Sequence, residues 1–190
     1  PHKSILIITL FSFFLNNLFM YLLLRKLKIN QNLAAVMALV FGFTPFLSHR
    51  ILGHYTYIPI YFFPLVFLII NQFLETKARK NKLILSTVLG LFLSFVLLRN
   101  FYYFFMIVLG ILAFIVYFTI LNRKKIFKTI ASNSKYLLMS IVVFCLSLIP
   151  WFVSVYQFTK SGDFSTTPGF GGAITLSADV LSFFTPSEYN

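Results

Sequence analysis

The sequence is built from six long apolar runs that contain no Asp, Glu, Lys or Arg, separated by short polar or basic segments. A helix needs about 20 apolar residues to cross the roughly 30 Å hydrocarbon layer of a bilayer. Four of the runs have that length, whereas the second and fourth are shorter, with 16 residues each. The runs are continuous rather than alternating, which argues against transmembrane β-strands. The six predicted spans are residues 4–24, 32–47, 55–74, 83–98, 101–121 and 136–156.

Composition supports the same class of protein. Hydrophobic residues make up 59% of the chain, charged residues only 11%, and the mean hydropathy is +0.88. About a quarter of a soluble domain is charged, so this chain lacks the surface that a soluble domain needs. We predict an all-α, polytopic transmembrane helix bundle over residues 1–156, in contact with membrane lipids, and an extracytoplasmic loop over residues 157–190.

The basic residues indicate how the bundle is oriented. All but four of the 16 basic residues fall in the segments after the first, third and fifth predicted spans. By the positive-inside rule these segments face the cytoplasm, so we predict a multi-pass cell-membrane protein with both ends of the sequence extracytoplasmic. The net charge of +12 reflects this topology signal and does not indicate nucleic-acid binding. The other four basic residues are Lys3, Arg50, Arg99 and Lys160.

Two predicted outer turns carry the candidate binding residues. Arg50 and His54 are four residues apart, on one face of a continuing helix. The short fourth span is followed by Arg99, Asn100 and Tyr103, and we expect the end of that span to lie below the head groups, in a cavity. Together these side chains would suit a phosphate or diphosphate, which arginine binds in bidentate fashion. The alternative is that they are interfacial residues whose polar ends reach the head groups.

A metal site at the same place is disfavoured. His49 and His54 are five residues apart, about 140° around a regular helix, so they do not chelate one ion. The single cysteine, Cys145, lies in an apolar run and excludes a cysteine-rich site. We therefore assign no metal ligands and no definite cofactor, and a divalent metal is left open.

Three further features concern packing and the C-terminal segment. Asn16 and Asn17 lie inside the first span, where amides usually bond to a neighbouring helix. Pro59 and Pro64 are expected to kink the third span. Residues 174–186 predict a short amphipathic helix on the outer membrane surface. In it Asp179 is either a first-turn charge that complements the helix dipole or a carboxylate directed at the site.

Five short stretches of the sequence are FGFTP at 41–45, GH at 53–54, PL at 64–65, RNFYY at 99–103 and SADVLSFFTP at 177–186. They resemble parts of polytopic bacterial membrane glycosyltransferases of the GT-C superfamily, which take sugars from polyprenyl-phosphate carriers. The similar stretches extend over most of the chain, although each motif is loose.

The resemblance implies sugar transfer to a glycan, lipid or protein acceptor at the extracytoplasmic face. In such enzymes the catalytic carboxylate usually lies in the first outer loop. We expect this chain to be an internal part of a longer protein, with the general base upstream of residue 1. The resemblance then places Arg50, His54 and Arg99 near the carrier phosphate, and Asp179 near the sugars or a metal.

A transporter or flippase for a lipid-linked or anionic substrate is the main alternative, since it would use the same outer cations as a gate. The predicted spans hold no central charge pair, which favours the transferase. A purely structural role in assembly is a third hypothesis.

Overall fold

The computed structural model describes residues 2–50 and 57–160. Within them every regular element is an α-helix, which confirms the predicted all-α bundle of membrane type. Four stretches are long and apolar enough to cross a membrane, namely Ile5–Lys26, Arg79–Arg99, Phe101–Lys124 and Ile126–Gln157. The helices are α1 (His2–Lys26), α2 (Gln31–Gly42), α3 (Pro45–Arg50), α4 (Phe62–Glu75), α5 (Arg79–Arg99) and α6 (Phe101–Lys160).

Helix bounds differ from the predicted spans at several places. The second predicted span is divided between α2 and α3, and residues 43–44 lie between these helices. α5 begins at Arg79, before the predicted start at residue 83, so its first turn includes basic residues that the prediction left outside the helix. α6 joins the fifth and sixth predicted spans through the basic segment between them, with a break in the helical backbone at Asn122 (φ −153°, ψ 62°). The helical part of the third span begins only at Phe62. The predicted surface helix over residues 174–186 lies outside the described residues.

The chain divides into two units, Pro1–Ile149 and Pro150–Asn190. In the first unit α1 packs against α2 and α4, and α4 packs against α5. In the second unit the described part is the end of α6, where the neighbouring rings of Trp151 and Phe152 are both exposed. Many large apolar side chains of both units face outward, as lipid contact requires and water disfavours.

Small residues allow the helices of the first unit to approach closely. Ala34, Ala38 and Gly42 form a buried stripe on α2, and a Cβ at Gly42 would collide with the Asn17 side chain of α1. Ser86, Gly90 and Ser94 form the same kind of stripe on α5. A Cβ at Gly90 would collide with the Ser140 carbonyl oxygen of α6. Small residues at this spacing are typical of helix interfaces in membranes.

Polar contacts bring the basic segments to one end of the first unit. The Lys26 ammonium at the end of α1 forms an ion pair with Glu75 and a hydrogen bond to Gln72 (3.3 Å) at the end of α4. Lys82 in the first turn of α5 donates to Asn133 of α6. We call this the basic end. Arg99, at the other end of α5, lies at the opposite end of the bundle.

Candidate functional site

A cavity of about 150 Å³ lies at the Arg99 end of the bundle. α1 contributes one wall, the segment before α4 contributes Ile58, and the last residue of α5 contributes Arg99. We call it the Arg99 cavity. The residues that line it are Ile5, Ile8, Thr9, Ser12, Ile58 and Arg99.

Two residues with hydroxyl groups, Thr9 and Ser12, line this cavity together with Arg99. Thr9 and Ser12 are 7% and 5% exposed, and their spacing places them on one face of α1. Asn16, fully buried, continues the same face one turn further. α1 is otherwise largely apolar, so these three residues form a polar stripe that faces the interior of the bundle. Hydroxyl groups on that stripe are able to donate hydrogen bonds to an anion.

Asn16 holds the irregular segment that forms the cavity wall. Its Nδ2 donates to the Ile58 carbonyl oxygen (3.0 Å), and its Oδ1 accepts from the Tyr61 amide (2.8 Å). Residues 57–61 are not α-helical, and Pro59 has no amide hydrogen to continue a helix. Because an unpaired backbone group at membrane depth is costly, these two bonds fix Ile58 where it lines the cavity. This finding confirms that Asn16 bonds to a neighbouring part of the bundle. The same expectation is wrong for Asn17, whose Nδ2 donates to the Phe13 carbonyl oxygen (2.7 Å), because that oxygen lies one turn away on α1 itself.

Asn100 and Tyr103 hold the turn that follows Arg99. The Asn100 side chain accepts from the Tyr103 amide (3.3 Å) and so caps the first turn of α6. The Tyr103 hydroxyl donates to the Tyr57 carbonyl oxygen, and its ring packs edge-on against Tyr57, Phe62 and Phe63. Both side chains are buried. They join the α5–α6 turn to the segment before α4, and thereby position Arg99 and Ile58 relative to each other.

The charge of Arg99 has no carboxylate beside it in the part of the chain that the structure describes. Glu75 is the single carboxylate there, and it pairs with Lys26 at the basic end. Arg99 lies in the last turn of α5, where the helix dipole favours a cation. A guanidinium and two hydroxyls form a donor set suited to the oxygens of a phosphate group.

The structure places only some of the predicted site residues. It brings Arg99, Asn100 and Tyr103 together. Arg50 is the last residue of α3, and its side chain lies outside what the structure describes. His54 and Asp179 lie outside the described residues altogether.

Sequence reasoning missed Thr9 and Ser12. The sequence does contain a pattern that indicates a polar helix face, because Thr9, Ser12 and Asn16 recur at helical spacing within an apolar run. Their interpretation needed the position of Arg99, which lies far along the chain. No group of three or more His, Cys, Asp or Glu side chains able to hold a metal occurs within residues 2–50 and 57–160.

Comparison with known proteins gives a family without an assigned activity. No curated protein and no solved structure is detectably similar to this chain. A family model described as "Domain of unknown function (DUF6311)" matches residues 3–190. Because that match extends over nearly the whole sequence, the chain belongs to the DUF6311 family.

Proposed function

We propose that this protein is a membrane glycosyltransferase of the GT-C kind, which moves a sugar from a polyprenyl-phosphate carrier to an acceptor at the extracytoplasmic face. The observation that carries the proposal is the Arg99 cavity. One arginine and two buried residues with hydroxyl groups line it, and none of its lining residues carries a carboxylate. The resemblance in the sequence supports the same assignment.

The size of the cavity supports a role in binding the phosphate alone. Pockets for whole small molecules measure about 300–1,000 Å³, and the Arg99 cavity is about 150 Å³. That volume suits a phosphate group. The sugar and the polyprenyl chain would then extend beyond the cavity, toward Arg50, His54 and the segment that contains Asp179.

The orientation of the bundle is part of the proposal. With the basic end in the cytoplasm, the Arg99 cavity faces the extracytoplasmic side, and both ends of the sequence lie outside the cell membrane. The carrier phosphate would approach Arg99 from the outer leaflet. This is the leaflet in which a lipid-linked sugar is accessible to an external acceptor.

Sugar transfer from a lipid phosphate requires a positive charge beside the leaving phosphate, and Arg99 is able to supply it. The bond between the sugar C1 and the phosphate oxygen breaks, and the leaving phosphate keeps the electron pair. A new bond forms between C1 and the acceptor oxygen, whose proton passes to a carboxylate base. A preorganised cation in a poorly hydrated cleft stabilises the charge that develops on the phosphate. Thr9 and Ser12 would hydrogen-bond the remaining phosphate oxygens, and the base would come from a part of the protein outside the described residues.

Binding of a short-chain polyprenyl phosphate, compared with the matching polyprenol, tests this proposal. The purified protein is reconstituted in nanodiscs and titrated by microscale thermophoresis. We expect Arg99→Ala to weaken binding of the phosphate by about tenfold, as for loss of a charged hydrogen bond, and Ser12→Ala and Thr9→Val by about threefold each. Binding of the polyprenol should not change.

Arg79→Ala is the matched control, because it removes an arginine from the other end of the same helix. Arg50→Ala, His54→Ala and Arg99→Ala in the full-length protein should also lose sugar transfer while inserting normally into membranes. Equal binding of phosphate and polyprenol, or full transfer by all three variants, would refute the phosphate site.

A transporter for a lipid-linked or anionic substrate is the second candidate. It is favoured by the non-helical segment 57–61, since such backbone at membrane depth often borders a substrate site in transporters. Proteoliposomes that contain a fluorescent lipid-linked sugar separate the two functions. Movement of the label to the other leaflet without an acceptor would favour the transporter, and label attached to an acceptor would favour the transferase.

A further inference from the structure

A second, larger cavity lies toward the basic end of the first unit. It measures about 420 Å³ and is walled by α1, α4, α5 and the parts of α6 on both sides of Asn122. Its walls are almost entirely apolar, with Asn71, Thr129 and Asn133 as the polar residues. We call it the apolar cavity. Its volume is within the range of about 300–1,000 Å³ that is typical of sites for small ligands.

A lysine is held at the polar edge of this cavity. The Lys82 ammonium donates to Oδ1 of Asn133 (2.5 Å), and Nδ2 of Asn133 donates to the Thr129 carbonyl oxygen (2.8 Å). The ammonium also lies 5.4 Å from the ring centre of Phe73 and 5.6 Å from that of Tyr136. Since Asn133, Thr129 and Phe73 all line the cavity, the position of this cation is fixed by the cavity wall.

The charge at this edge is not balanced by the described part of the protein. Glu75 is the single carboxylate within residues 2–50 and 57–160, and Lys26 is its partner. Lys82 is therefore a half-buried cation whose contacts are an amide oxygen and two rings. An ammonium group has three hydrogen-bond donors, and the bond to Asn133 uses one of them. An anionic oxygen at this edge would complement both the charge and the remaining donors.

We propose that the apolar cavity holds an acyl chain of an anionic glycerophospholipid, with the lipid phosphate on the Lys82 ammonium. The apolar walls match the hydrocarbon chain, and the lysine matches the head group. Basic pockets between membrane helices are a known mode of binding for anionic lipids. With the basic end oriented as proposed above, the lipid would come from the cytoplasmic leaflet. This proposal depends on the apolar walls and on the neighbouring Lys82, and not on the activity proposed for the Arg99 cavity.

Native mass spectrometry of the purified protein tests the proposal, with phosphatidylglycerol and phosphatidylcholine of identical acyl chains as probes. The wild-type protein should retain phosphatidylglycerol in preference to phosphatidylcholine. Lys82→Gln should lower retention of phosphatidylglycerol by about fivefold, the effect of one lysine near an anionic lipid surface. Lys82→Arg should keep it. Ile115→Trp, which replaces an aliphatic side chain of the cavity wall with a larger aromatic one and leaves every charge in place, should lower retention of both lipids.

Lys80→Gln is the matched control. It removes the same charge from the same helical turn, and Lys80 is exposed and lies outside the cavity wall. Equal loss in Lys80→Gln and Lys82→Gln, or equal retention of the two lipids by the wild type, would overturn the proposal. Size-exclusion chromatography reports whether each variant is folded. If Lys82→Gln is not, then the wild-type preference and Ile115→Trp decide the outcome.

Discussion

Two cavities lie in the same bundle, and they differ in volume, lining and neighbouring charge. The Arg99 cavity is small and pairs one arginine with two hydroxyls. The apolar cavity is nearly three times as large and has one lysine at its polar edge. α5 connects them, with Lys82 in its first turn and Arg99 at its last residue. The difference in lining is the reason that we propose a phosphate for the first cavity and a hydrocarbon chain for the second.

The two cavities also differ in how their walls are held. An irregular backbone segment forms part of the Arg99 cavity, and Asn16 fixes that segment through two hydrogen bonds. The residues that line the apolar cavity lie in helices, apart from Leu27. The Arg99 cavity should therefore be the more sensitive to substitution of a single polar side chain.

Asn16→Leu is the substitution that should separate the two regions most strongly. It leaves the Tyr61 amide without its partner, and a buried unpaired group costs about 1–3 kcal/mol. It also removes one of two hydrogen bonds to the Ile58 carbonyl oxygen, which still accepts from the Ile60 amide (2.8 Å), and a lost bond of this kind costs about 1 kcal/mol. We expect the free energy of unfolding to fall by about 2–4 kcal/mol and the binding of polyprenyl phosphate to be lost. Retention of phosphatidylglycerol should persist at temperatures where the variant is folded. Equal loss at both sites would show that the two walls are not independent.

Gly90→Ala should affect both regions together, because it acts on the packing of α5 against α6. The added Cβ would collide with the Ser140 carbonyl oxygen, and overpacking of this kind costs about 1–3 kcal/mol. Gly110→Ala is the control, since a Cβ there meets only the Phe67 ring at 3.6 Å. It should be neutral or stabilising by up to about 1 kcal/mol through helix propensity. Thermal unfolding in one detergent measures both changes, and equal midpoints would contradict the packing described here.

Glu75→Gln should have the smallest effect. The ion pair with Lys26 joins α1 to α4 at a half-exposed position, where such pairs contribute about 0–1 kcal/mol. We expect little change in the unfolding midpoint and no change in polyprenyl phosphate binding. Retention of phosphatidylglycerol should stay the same or rise slightly, because the variant removes a negative charge from the basic end. A large loss of stability would contradict this, because it would show that the ion pair contributes more to the stability of the basic end than an exposed pair does.

The helical fold was predictable because its physical cause is visible in the sequence. A run of apolar residues without charge must satisfy its own backbone in the bilayer, and the helix does so. Helix ends were less predictable, because the predicted spans were cut at charges. Arg79 and Lys80 are helical although they are charged, so the end of the apolar run is not the end of α5.

The position of the irregular segment before α4 depends on a contact between residues far apart in the sequence, which no local pattern predicts. Asn16 and Ile58 are 42 residues apart in the sequence. Pro59 indicated a disturbance of the third span, but the bonds from Asn16 determine where the backbone goes. For the same reason Arg99 was identified from its position after a span, whereas Thr9 and Ser12 became candidates only once α1 and Arg99 were seen in one cavity.

The central claim is that the Arg99 end faces the extracytoplasmic side and the basic end faces the cytoplasm. Cysteine labelling tests it most directly, in a protein whose native Cys145 is replaced by serine. Tyr102→Cys places a thiol at an exposed position beside Arg99, and Asn81→Cys places one at an exposed position of the basic end. We expect a membrane-impermeant maleimide to label position 102 in intact cells and position 81 only after permeabilisation. Labelling of position 81 in intact cells, with position 102 protected until the cells are opened, would contradict the claim.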